Sequence, residues 1–237
     1  MHKKIIISGI NIVEGGALTV FKDCIDNLIK NRYTKENHIT ILVHDKKIFQ
    51  EYKDSINIVE FKKAKSSWIR RLYYEYIYFY FWSRNKNIDT WISIHDVTPN
   101  VKAKERYVYC HNPSPFCKIN KEVLKYDKKL FLFSIFYKYL YKINIRKNKA
   151  VIVQQNWIKE EFEKMYKINN VVVARPNANT NNIILSNQNK NDDKYKFIYA
   201  AFPRVFKNFE IICEACNILE RQHLNNCEVI LTIDGSE

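Results

Sequence analysis

Short β-branched apolar runs alternate along this chain with segments of helical periodicity, and that alternation leaves few folds open. "KIIISGI" (4–10) is almost continuously apolar, as expected of a parallel strand covered on both faces. In the segment after it (17–30), Leu18, Phe21, Ile25, Leu28 and Ile29 fall on one face of a helix. Further strands are expected at 39–45, 56–61, 90–94, 106–112, 149–155 and 170–177. Helices are expected at 67–85, 128–147 and 156–167, the last with Asn156 as its N-cap. Strand and helix in turn predict an α/β fold built on a doubly wound, Rossmann-like parallel sheet.

Composition shifts after residue 180. The Asn-rich stretch 181–194 reads as a linker. Beyond it, strand 195–201, helix 209–222 and strand 227–233 make a single βαβ unit. So short a unit cannot bury a core of its own. The expected organisation is a first domain over 1–180 and the incomplete start of a second over 195–237.

The chain carries 39 Lys+Arg against 25 Asp+Glu, a net charge of +14, which favours an anionic partner. No apolar run is long enough to span a bilayer, and the basic start lacks the cleavage site of a secretory signal. The six cysteines are scattered through a long chain and do not form a disulfide scaffold. Together these features predict a cytoplasmic protein. Cys213 and Cys216 fall inside a helical pattern with no second pair at zinc spacing, so they are expected to be buried helix cysteines. No cluster calls for a metal.

Three of the chain's four glycines, Gly9, Gly15 and Gly16, lie between residues 9 and 16. A glycine pair before an amphipathic helix bares backbone amides at a positive helix end, where an anionic group is favoured. Neither the dinucleotide pattern G-x-G-x-x-G nor a Walker loop is present, so the pair alone fits a turn equally well. His95 and Asp96 are expected at the carboxyl end of a strand, where open α/β sheets bind ligands. A plain turn closed by Asp96 is the alternative.

"GINIVEGGALTVF", "RYVYCHNPSPF", "AVIVQQNWIKEEFEKMY", "VVVARPN" and "FIYAAFPRVFKNFEIICEAC" follow one another over essentially the whole chain. In that order they resemble the retaining nucleotide-sugar glycosyltransferases of the two-Rossmann-domain (GT-B) fold, family 4 type. The resemblance implies transfer of a sugar, with retention, from a nucleotide-sugar to a glycan or lipid-linked acceptor in surface polysaccharide synthesis. It implies no metal and no other cofactor. Gly15 and Gly16 match the family's glycine loop beside the donor diphosphate. His111 matches the histidine that faces the donor sugar, and its assigned role is catalytic. Lys207 matches the basic residue on the diphosphate, and Arg204 its arginine partner; His95 and Asp96 become acceptor-side candidates. A leaving nucleoside diphosphate gathers negative charge, which Arg, Lys and bare amides stabilise. The family's late acidic motif, E-x7-E, has no counterpart before Glu237, so weak or absent transfer is expected of the chain as it stands. Read without the resemblance, His111 is a strand-end residue bonded to backbone and Lys207 a solvated helix start.

Helices 67–85 and 128–147 interleave aromatics with Arg70, Arg71, Lys138 and Lys142, which suits the inner face of an anionic membrane. A tyrosine-rich core helix with a solvated basic edge is the alternative. No nucleic-acid module is present, so no nucleic-acid partner is expected. The competing functions are a non-catalytic basic module on membrane or nucleic acid, and a Rossmann-type oxidoreductase.

Overall fold

The computed structural model describes residues 2–116, 128–176, 195–202, 204, 207–224 and 226–233. Its contacts divide the chain into two compact units, Met1–Lys118 with Leu132–Asn177, and Ile119–Phe131 with Ala178–Glu237.

In the first unit the continuous apolar runs become strands of one parallel sheet. They are β1 (Lys4–Gly9), β2 (His38–Val43), β3 (Asn57–Glu60), β4 (Ile88–Ser93), β5 (Ala103–Cys110), β6 (Ala150–Val153) and β7 (Val171–Val173). Their order is β3-β2-β1-β4-β5-β6-β7, and every pairing is parallel. The order reverses between β1 and β4, whose register sets Ile7 opposite Ile92. This is the doubly wound sheet that the alternation predicts.

Helices cover both faces. Ile5 and Ile7 pack with Phe21 and Ile25 of α1 (Gly15–Lys30) on one side. Ile6 points the other way, into a cluster with Phe79 and Trp91. Each such fully buried side chain contributes roughly 1.5–3 kcal/mol. Gly9 lets α1 approach, because a Cβ there would run into the buried Phe21 ring.

Several boundaries differ from the expected ones. The glycine pair is not a linker before α1 but its first two residues: Glu14 sits at the N-cap without a side-chain bond, and Gly15 has φ 71°. The aromatic run forms α2, whose middle is a π-turn: Trp68–Tyr73 and Phe79–Ser83 are α-helical and Tyr74–Tyr78 is wider. The Glu75 carbonyl there accepts from the Asn100 amide at 2.8 Å. Helix α3 (Lys128–Lys142) stops short of 147 because Asn144 turns left-handed, and only a 3₁₀ turn, Ile145–Lys147, follows. In α4 (Asn156–Tyr166) the N-cap is Gln155, not Asn156. A 3₁₀ segment, Lys46–Tyr52, carries too weak a period to be read in sequence.

In the second unit, β8 (Tyr195–Tyr199) and β9 (Cys227–Leu231) pair in parallel on either side of α5 (Phe209–Arg221). None of the described residues in these three elements is buried. The expectation of buried cysteines fails accordingly: Cys213 is exposed and Cys216 half-buried, since one helix on two strands cannot enclose them. The expected linker, 181–194, falls outside the described residues. Among the described residues no helix is long and apolar enough to cross a membrane.

Candidate functional site

The carboxyl ends of parallel strands bring their loops to one rim, and a pocket opens where the strand order reverses. About 260 Å³ in volume, it is lined by the loop Asn11–Glu14, Ala17 of α1, Lys65, Ile94, His95, Asp96 and His111. Three of the expected site residues therefore converge here. Gly15 and Gly16 lie between two of the lining residues, and a Cβ on either would meet nothing within 4 Å, so their backbone faces open space. Only Gly15, with φ 71°, requires glycine for its conformation.

Asp96 organises the rim. It follows β4 in the left-handed region, φ 76°, a conformation that Asp tolerates better than most residues. Its Oδ1 accepts from the backbone amides of His111 at 2.7 Å and Asn112 at 3.1 Å, and from the Tyr141 hydroxyl at 3.0 Å. Its Oδ2 accepts from Tyr137 at 3.4 Å. Asp96 thus ties the end of β4 to the loop after β5 and to α3. It is a turn residue, but the backbone it bonds belongs to the loop after the next strand. Burial, with Asp96 adding to it, pushes both phenols above the ordinary tyrosine value and keeps them as donors.

His111 has both ring nitrogens engaged. Nε2 lies 2.8 Å from the Ile94 carbonyl, which can only accept, so Nε2 carries the proton. Nδ1 then accepts from the Gln154 amide at 3.0 Å. Burial lowers its pKa from the ordinary value; Asp96 and the Ile94 carbonyl oppose that shift, and His95 adds to it. The ring is neutral and fixed, stacked at a tilt on Tyr109 with centroids 4.5 Å apart.

Behind this wall lies a polar layer that the sequence did not reveal. His95 Nε2 sits 2.5 Å from Oε1 of Glu75 and 3.3 Å from Ser93 Oγ. Ser93 donates its one proton to the Val97 carbonyl at 2.8 Å, so Nε2–H is the donor to both. Arg71, one helical turn before Glu75, donates to the His95 carbonyl at 2.7 Å. Burial opposes the guanidinium charge, yet Tyr137, Glu75 and Asp96 outweigh it and raise its pKa. Arg71 is therefore not part of a solvated basic edge. The spacing Arg71-x-x-x-Glu75 within an otherwise aromatic helix was the signal that could have found this pair.

Arg204 and Lys207 lie in the second unit, both exposed. The Lys207 amide donates to the Arg204 carbonyl at 2.8 Å, and Tyr199 donates to the Lys207 carbonyl at 3.0 Å. The two residues thus share one turn before α5. Asn208 precedes that helix with φ 49° and no side-chain cap. Among the described residues no group of His, Cys, Asp and Glu could hold a metal ion.

Neither a family model nor a curated protein matches this chain.

Proposed function

We propose that the chain is a glycosyltransferase of the retaining two-Rossmann-domain kind, which takes a nucleotide-sugar as donor and a glycan or lipid-linked acceptor. The observation that carries this reading is the convergence of the β1–α1 loop, His95, Asp96 and His111 on one pocket at the sheet's topological switch point. In this reading the amides near Gly15 and Gly16 border the diphosphate. Arg204 and Lys207, in the second unit, are the cations that the resemblance alone assigns to a diphosphate. His111 meets the sugar as an uncharged ring, a sugar hydroxyl taking the place of Ile94 or Gln154 as its partner. Asp96 acts through His111 and Asn112, holding their backbone, and so is a positioning residue.

A separate feature supports an acceptor at an anionic membrane surface. Ile69, Tyr73, Ile77 and Phe81 recur every four residues along α2, and all are exposed. Four apolar side chains in one helical row beside Arg70 and Arg84 suit a headgroup layer.

The test is a thermal-shift and turnover screen against nucleoside diphosphates and sugar nucleotides, with His111→Ala and Lys207→Ala in parallel. The reading expects one nucleotide to stabilise the chain, less so in Lys207→Ala. It expects whatever sugar release or transfer the unaltered chain shows to fall by about 10²-fold or more in His111→Ala. No response to any nucleotide or sugar nucleotide, or equal responses in all three proteins, overturns it.

A further inference from the structure

Another cavity of the first unit lies away from the rim just described. It has a volume of about 710 Å³ and is formed by the end of α3, the turn after it and the end of α4. Residues 144–147 lead into β6 and Lys167 precedes β7, so the cavity sits by the amino ends of these strands, on the opposite rim of the sheet from His111. Five cations line it, Lys138, Lys142, Arg146, Lys147 and Lys167, with no acidic side chain among the lining residues.

Charges at helix carboxyl ends often serve only to offset the helix dipole. Arg146 does that here, donating to the Tyr166 carbonyl at 3.3 Å. Lys138 lies over the Tyr139 ring at 5.1 Å. Among the described residues none of the five forms an ion pair, although other surface lysines such as Lys22, Lys104 and Lys149 do. Five like charges around one concavity repel each other unless an anion joins them. The volume falls in the range of small-ligand sites, and Ile145, Met165 and Tyr166 give it an apolar floor.

We infer that this cavity binds a phosphorylated ligand, with the lysines as point charges on phosphoryl oxygens and the apolar floor taking the group that carries them. The inference stands apart from the reading of the His111 pocket. A soluble phosphate compound and a phospholipid headgroup offer the same chemistry, and the experiment separates them.

Pyrophosphate binding by calorimetry is compared at low salt in the unaltered chain, in Lys142→Glu/Lys147→Glu, and in Lys30→Glu/Lys35→Glu. The last pair is equally exposed, carries the same charge change and lies at the end of α1 and just beyond it. All three are also sedimented with vesicles of phosphatidylcholine alone and of phosphatidylcholine with phosphatidylglycerol. Binding is expected to weaken about tenfold or more in the cavity pair and to hold in the other, the equivalent of at least one charge-assisted contact. If this difference appears with pyrophosphate alone, the ligand is soluble; if it appears with the anionic vesicles, it is a lipid headgroup. No binding to either probe, or a loss as large in Lys30→Glu/Lys35→Glu, overturns the inference. Circular dichroism of each variant shows that the fold is retained.

Discussion

At the residue scale, His111 shows how a burial site sets a charge state. Its pKa is depressed, so as the pH falls below the ordinary histidine value, about 6.5, the unfolded chain takes up a proton before the folded one does. The stabilisation tied to the neutral ring is therefore complete above that range and is lost as the pH drops towards the folded value. Unfolding by denaturant at a series of pH values between about 7 and 5 is expected to show this decline, and His111→Gln to flatten it. A slope unchanged in His111→Gln would show that other groups carry the acid sensitivity. His111, Asp96 and His95 were legible as candidates because each follows an apolar strand. Glu75 was not, because a single carboxylate among aromatics offers no period and its partner is twenty residues away in sequence.

At the element scale, the strands were readable because β-branched runs covered on both faces stay apolar throughout. Their helices were readable on one face only. What sequence could not supply was where each helix starts and how it bends. Helix α2 looked regular, but its π-turn shifts Tyr74–Tyr78 so that Glu75 reaches His95 while its carbonyl finds Asn100. Close packing between elements is also hidden in a sequence: Gly9 of β1 lies under Phe21 of α1. Gly9→Ala is expected to cost about 1–3 kcal/mol by forcing that ring from its place. Gly16→Ala, with open space around it, makes the control. Equal midpoints for Gly9→Ala and the unaltered chain in urea would show that α1 yields without strain.

At the scale of the whole molecule, apolar burial is unevenly shared. The first unit encloses three buried clusters, whereas β8, α5 and β9 leave Tyr195, Phe197, Ile211 and Ile230 exposed. Amide hydrogen exchange is expected to be slow in β1, β4 and β5 and faster in β8 and β9, since local opening there exposes little that was hidden. Uniform protection across both sets would mean that the second unit is supported by contacts beyond its own strands. The organisation of the second unit was legible only as a pattern of strand, helix and strand.

Asp96 also has a consequence for how the molecule comes together. It joins His111, Tyr137 and Tyr141 across separations of 15, 41 and 45 residues. Such links form only after long loops have closed, and loop closure is what slows a folding chain. The individual helices can form from local contacts, whereas the wall that Asp96 holds waits until β4, β5 and α3 have met. A chain emerging from the ribosome has its Rossmann strands in sequence well before it has a place to bind anything.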